Sequence, residues 1–203
     1  MIPTIKAIIF DFGGVLLDWD PHNLYRAYFP NQPKALDDFL EEIDFYAWNA
    51  RQDRGRSFAE GVAELSAKFP HRTELIRAYA ENWKNSITGE IAGTVEILYE
   101  LKEKGYSLYG LSNWSLETFQ YIKDCPFLKE FDETILSGEV GLVKPNPEIY
   151  RLLLNKIEYS ANECLFIDDS QINIDTARDL GFYAIHFESP EGLRRELREY
   201  GVV

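Results

Sequence analysis

Short apolar runs alternate with segments of helical periodicity along most of this chain. Residues 6–10 read KAIIF and stop at Asp11, just before the paired glycines Gly13 and Gly14. A β-branched run that ends in glycines predicts a buried strand entering a tight loop. Residues 107–111, Glu133–Leu136, 164–167 and 183–187 have the same character, and each runs into a polar loop sequence: SNWS, SGEVG, DDSQ and ESP. These are predicted strands. Between them, Val95, Leu98, Tyr99 and Leu101 form one apolar stripe, and Ile149, Leu152, Leu153 and Ile157 form another after Pro147. Ile174, Ala177 and Leu180, closed by Gly181, make a third. Strands alternating with helices predict an α/β fold, a doubly wound parallel sheet with right-handed crossovers and helices on both faces. Ligands of such sheets sit beyond the carboxyl ends of the strands.

Residues 18–92 break this alternation. They carry Trp19, Trp48 and Trp83 and helix-like stretches, such as those at 34–47, 57–68 and 73–85, with no convincing strand. The expected organisation is a core domain of residues 1–17 and 93–203 with an all-helical cap, 18–92, inserted after the first strand. From there the cap would close over a bound substrate and exclude water. A helical layer packed on the sheet side is the alternative, although four helices exceed what one crossover needs.

Charge narrows the partners. The chain has 203 residues, and its 21 Lys and Arg against 34 Asp and Glu give a net charge of −13, which opposes broad contact with nucleic acid. A phosphate binder of this composition needs a concentrated local cation, either Lys, Arg or a bound metal. Cys125 and Cys164 belong to no CxxC pair or zinc-like cluster. The apolar run in MIPTIKAIIFDFGG is too short for a signal segment or a membrane span, so no membrane role and cytoplasmic residence are the default expectations.

The predicted strand ends carry the chemistry. Asp11 should emerge at a carboxyl edge where the glycines let backbone N–H groups approach an anion, although an Asp before glycines also serves simply to cap a turn. Asp168 and Asp169 are adjacent carboxylates that raise each other's pKa unless a cation holds them, and Mg²⁺ suits such a pair. A solvated loop pair is the plainer reading. Ser112 and Asn113 offer a hydroxyl and an amide, and Lys144 offers a mobile ammonium in a proline-bounded loop. Each alone is ordinary, but a serine, a lysine and three carboxylates all at predicted strand carboxyl ends are not expected by accident.

These motifs, FDFGG, LSN, VKPNPEIY and FIDDS, resemble the four motifs of the haloacid dehalogenase superfamily, and the likeness extends over nearly the whole chain. The resemblance implies a Rossmann-like core with a helical cap and a hydrolase of small phosphate monoesters working through an aspartyl-phosphate on Asp11. It implies Ser112, Asn113 and Lys144 on the phosphate, with Asp11, Asp168, Asp169 and the backbone carbonyl of Gly13 around Mg²⁺. The implied partner is a small phosphorylated metabolite, and the protein is expected as a monomer or homodimer.

One position departs from the family pattern. Its phosphatases usually carry a second Asp where this chain has Gly13, and that group protonates the leaving oxygen; a general acid and base is worth about 10² to 10⁴ in rate. His22, Asp18 and Asp20 are the nearby candidates to replace it, and all three read more simply as surface residues opening the insert. His71 and His186 have no motif context. Two other functions stay open: a phosphate-binding relative with slow or no turnover, and a 2-haloacid dehalogenase. Dehalogenases carry a serine and asparagine pattern in place of the acidic pair, which Asp168 and Asp169 oppose. Sugar phosphates come first as substrates and nucleotides second. Tyr46 and Trp48 would stack on the substrate, with Arg51, Arg54 and Arg56 as anion holders or a solvated helix end.

Overall fold

The computed structural model describes residues 4–203. Its strands are β1 (Ala7–Phe10), β2 (Leu17–Trp19), β3 (Ile87–Glu90), β4 (Ser107–Ser112), β5 (Glu133–Leu136), β6 (Cys164–Asp168) and β7 (Tyr183–His186). Five of them form a parallel sheet in the order β5-β4-β1-β6-β7. The chain therefore builds outward from β1 in one direction through β4 and β5, and then in the other through β6 and β7. The point of reversal lies at the carboxyl end of β1, where α/β sheets leave a crevice for ligands.

The helices after the insert are α6 (Ala92–Glu103), α7 (Leu116–Phe119), α8 (Ser137–Val140), α9 (Pro147–Lys156), α10 (Gln171–Asp179) and α11 (Pro190–Glu199), and those within it are α1 (Pro21–Tyr25), α2 (Pro33–Glu42), α3 (Phe45–Asp53), α4 (Phe58–Lys68) and α5 (Thr73–Asn82). Strand alternation divides the core. Ile8 and Phe10 of β1 join Leu98 and Leu101 of α6 and Leu193 and Leu197 of α11 on one face. Ala7 and Ile9 join Ile149 and Leu153 of α9 and Ile174 and Ala177 of α10 on the other. With both faces covered, central strands can be apolar throughout, and β1 is fully buried along its length. Each Leu or Ile so buried contributes roughly 1.5–3 kcal/mol. Among the described residues no helix is long and apolar enough to cross a membrane.

The insert differs from its sequence reading in three places. Its ends pair as an antiparallel ribbon, with Leu17 opposite Glu90 and Trp19 opposite Ile87, where no strand was expected. Strands of three and four residues are too short to display a period of two. The helix expected over 34–47 is two helices, because Asp44 takes a left-handed conformation (φ 51°) between α2 and α3. Finally, Trp48 belongs to the insert's own core. It is buried among Phe45, Phe58 and Tyr79, and its indole N–H donates to the Gly61 carbonyl at 2.9 Å. A ring so placed cannot stack on a ligand.

Candidate active site

Asp11 leaves β1 as the chain turns, and its backbone N–H still pairs with the Ile167 carbonyl of β6 at 3.0 Å. That ladder bond fixes where the carboxylate starts. Its Oδ1 accepts from the Phe12 backbone N–H and from the Ser112 hydroxyl, both at 2.7 Å, and its Oδ2 lies 2.9 Å from Lys144 Nζ. Lys144 Nζ also reaches Asp168 Oδ2 at 2.6 Å. Asp168 Oδ1 in turn accepts from the Ser170 backbone N–H and from Asn173 Nδ2, each at 2.9 Å. Three neighbouring strand ends and one loop thus meet in a single buried network.

Lys144 is not the mobile ammonium that its loop suggested. Its side chain is wholly buried between two carboxylates, and Asn113 holds its backbone from both sides. Asn113 Nδ2 donates to the Lys144 carbonyl at 2.9 Å, and the Lys144 N–H donates to Asn113 Oδ1 at 2.8 Å. Both polar atoms of the Asn113 side chain thus hold the Lys144 loop, while the residue also borders the cavity where phosphate contact is expected. Ser112 is fully buried and directs its hydroxyl at Asp11.

Oxygen atoms of Asp11, Asp168 and Asp169 lie within 4.8 Å of one another. A cluster of carboxylate oxygens fits a hard divalent cation such as Mg²⁺. Burial pushes Asp11 up to about 7, with the Lys144 charge opposing and the charges of Asp168 and Asp169 adding to the rise. Asp169 is raised by burial and then by Asp168, against Lys144. One ammonium does not neutralise three carboxylates, and a divalent cation would supply the missing charge. Gly13, whose carbonyl the resemblance places at the metal, borders the same cavity.

That cavity has a volume of about 520 Å³. Asp11, Lys144 and Asp169 line its floor, and Tyr46, Asn49, Asp53 and Trp83 approach from the insert. Trp19 and Trp114 contribute indoles to the wall. Two atoms of lining residues, Asn49 Oδ1 and Trp114 Nε1, are buried without a hydrogen-bond partner in the protein. Neither atom has accessible surface of its own, so neither is presented to a ligand in the cavity as it stands.

The other sequence candidates lie elsewhere. His22 bridges Asp20 (2.6 Å) and Asp37 (2.9 Å) and faces a separate cavity. Burial alone would lower its pKa, but the two carboxylates outweigh burial and raise it. Asp18 bonds the Thr88 hydroxyl. Arg51 and Arg56 both pair with Glu64 and, with Arg54, border a third cavity away from Asp11. The basic run is thus a helix end and its following turn rather than an anion holder in the main cavity.

Sequence reasoning missed Asn173, His186 and Asp53. Asn173 lies in the first turn of α10 and supports Asp168, and its position soon after the acidic pair is the signal that points to it. His186, at the end of β7, meets the Asp169 carbonyl through Nε2 at 2.8 Å. Asp53 carries no local signal, because only the folding of α3 against the core brings it to the cavity.

Comparison with known proteins agrees with this architecture. Over 212 residues the chain is 26% identical to a sesquiterpene phosphatase from Aspergillus oryzae, covering 98% of each. It is 25% identical over 200 residues to a D-ribitol-5-phosphate phosphatase from Bacteroides thetaiotaomicron, covering 95% of this chain and 97% of that one. The crystal structure of a HAD family enzyme from Bacteroides thetaiotaomicron in a magnesium complex superposes with a TM-score of 0.72 at 23% identity, over 96% of this chain and 99% of that one. Residues 5–181 match the family described as haloacid dehalogenase-like hydrolase. With a parallel five-stranded sheet and the residues of the four motifs gathered at its switch point, the chain belongs to the haloacid dehalogenase-like hydrolases.

Proposed function

We propose that this chain hydrolyses phosphate monoesters of small metabolites, with Asp11 as nucleophile and Mg²⁺ as cofactor. The observation that carries the reading is the placement of Asp11 between the Ser112 hydroxyl and the Lys144 ammonium, beside the Asp168 and Asp169 carboxylates. A carboxylate at that point is fixed in position and open to the cavity. It can attack phosphorus and divide hydrolysis into formation and breakdown of an acyl phosphate. Lys144 steadies the charge on Asp11 and on the phosphoryl oxygens as they approach it. Ser112 orients the carboxylate, and Asn113 holds the lysine. Bound at Asp11, Asp168, Asp169 and the Gly13 carbonyl, Mg²⁺ would offset the repulsion between the carboxylates and a phosphate dianion.

Residues 18–92 act in this reading as a cap on a core of residues 1–17 and 93–203, since Tyr46, Asn49 and Asp53 border the cavity from the insert side. A volume of about 520 Å³ suits a small metabolite. Sugar or polyol phosphates come before nucleotides, in keeping with the D-ribitol-5-phosphate phosphatase and the phosphorylated carbohydrates phosphatase among the chain's relatives. Cytoplasmic residence fits a metabolite phosphatase of this kind. The acidic pair disfavours the dehalogenase alternative, because metal-free displacement of halide gains nothing from two more carboxylates near an anionic substrate.

The test is a panel of aryl, sugar and nucleoside phosphates assayed with Mg²⁺ and after exhaustive chelation, using wild type and Asp11→Asn. Turnover should need both the metal and the Asp11 carboxylate. Full activity without metal, or near-native rates for Asp11→Asn, would remove the reading. Phosphate binding without turnover would instead favour the inactive relative that Gly13 suggests.

A further inference from the structure

We propose that Asp53, at the carboxyl end of α3, is the acid and base that Gly13 leaves out of the first motif. The inference rests on the phosphatase reading above. The carboxyl groups bordering the cavity belong to Asp11, Asp53 and Asp169. Asp11 is committed as nucleophile, and Asp169 lies in the cluster of carboxylates that suits a metal. Asp53 is left without an assigned task. It borders the cavity from the insert, whereas Asp11 and Lys144 border it from the core, and an in-line displacement sends the leaving group to the side away from Asp11.

An acid works only if it is held still, and the end of α3 is fastened to the core rather than to the insert alone. The Asp53 carbonyl accepts from the Ser137 hydroxyl of α8 at 2.5 Å, and that hydroxyl accepts from the Trp114 N–H at 2.9 Å. Gly55 has φ 108°, and a Cβ there would lie 3.2 Å from the Gly138 carbonyl, so the two backbones nearly touch. The Phe58 N–H then donates to Glu117 of α7 at 3.0 Å. On the side chain itself, Asn49 Nδ2 donates to Asp53 Oδ2 at 2.9 Å. These ties fix both the backbone and the rotamer, as a proton donor requires.

The surroundings also favour the neutral acid. Burial raises the Asp53 carboxyl well above the usual range and the nearby Asp11 charge adds to this, against hydrogen bonding from the Ser115 backbone and Asn49. Tyr79 of α5 is the other titratable group that senses it. In the first step, an Asp11 oxygen bonds to phosphorus. The bond from phosphorus to the ester oxygen breaks, and that oxygen keeps the electron pair and takes the Asp53 proton. In the second step the Asp53 carboxylate takes a proton from water as the water oxygen bonds to phosphorus. The bond between phosphorus and Asp11 breaks, its electron pair returns to Asp11, and phosphate leaves with Asp53 protonated again.

The experiment measures kcat/KM, with Mg²⁺ present, across phosphate esters whose leaving groups run from acidic phenols to alkyl alcohols. Wild type should show a shallow dependence on leaving-group acidity. Asp53→Asn should lose about 10² to 10⁴ on alkyl esters and far less on the most acidic phenols, so its dependence becomes steep. Adding Gly13→Asp to that variant should flatten the dependence again. A steep dependence in wild type, which needs no variant to fold, would overturn the proposal, as would an equal loss on every ester in Asp53→Asn. Absence of turnover by wild type on all esters would instead overturn the phosphatase reading, and this proposal with it.

Discussion

A Cβ placed on Gly14 would lie 2.3 Å from Asp169 Oδ2 and 2.8 Å from its Cγ. The second glycine after β1 is therefore what lets the Asp169 carboxylate stand beside the nucleophile loop. Its φ of 75° adds a second demand that only glycine meets easily. Gly14→Ala should lower unfolding stability by roughly 1–3 kcal/mol through the backbone and the displaced carboxylate together. It should also shrink the rise in Tm produced by Mg²⁺. Gly13→Ala is the control, because its Cβ would make only an ordinary 3.5 Å contact with Trp114 and its φ is not in the left-handed region. Thermal melts with and without Mg²⁺ separate the two, and an unaltered metal response in Gly14→Ala would refute the argument.

Lys144, with its side chain wholly buried, holds Asp11 and Asp168 together. Removing one partner from such a group leaves charge buried and unpaired, at a cost of about 3–5 kcal/mol. Lys144→Met should show a loss of that order by denaturant titration and at least a tenfold fall in turnover. Adding Asp168→Asn should restore part of the stability but not the rate, since the remaining buried charge is halved while Asp11 still lacks its ammonium. A double variant as unstable as the single one would contradict this.

Asn113 offers a sharper test of positioning. Its two hydrogen bonds grip the Lys144 backbone at the edge of the cavity. Asn113→Ala should destabilise by about 1–3 kcal/mol, because two buried backbone groups lose their partners. The kinetic loss should fall mainly on kcat, with KM little changed, since the residue acts through Lys144. Asn113→Asp keeps the acceptor and loses the donor, and should fall between. A rise in KM alone would return Asn113 to direct phosphate contact.

The legible parts of this molecule are those written in contiguous residues. Five parallel strands could be read because each is an apolar run broken by a polar loop sequence, and Asp11, Ser112, Asp168 and Asp169 could be read because they stand at the ends of such runs. The β2–β3 ribbon could not, since Leu17–Trp19 is too short to show alternation. The break at Asp44 was hidden because a left-handed residue between two amphipathic helices leaves their apolar spacing nearly intact. Lys144 looked mobile because its two carboxylates and the amide that holds it come from three distant segments. Asp53 was invisible for the same reason, and His22 drew attention through its chemistry although Asp20 and Asp37 already hold it.

Stability should respond to pH through the same carboxylates. Asp11 is pushed up to about 7 in the folded chain, so folded protein keeps a proton that unfolded chain gives up from near pH 4. Its contribution is full below the unfolded value and is lost as pH rises toward and past 7. Asp169 and Asp53 shift in the same direction, mainly through burial, and the raised His22 loses its contribution over higher pH as well. Glu163, held down to about 2 by Lys6 and Ser160, and Glu42, held down by Arg72 and His71, shift the opposite way. Their gain is complete once pH passes the ordinary glutamate value. Between pH 5 and 8 the raised groups therefore dominate, and the Tm of metal-free protein should fall. Mg²⁺ binds the deprotonated carboxylates, so its stabilisation, about 2.7 kcal/mol at a hundred times Kd, should be larger at pH 8 than at a similar concentration at pH 5. Calorimetric scans in chelator and in Mg²⁺ at the two pH values make the comparison. A metal-free Tm that rises over this range, or an equal Mg²⁺ shift at both ends, would mean that these carboxylates do not govern the linkage.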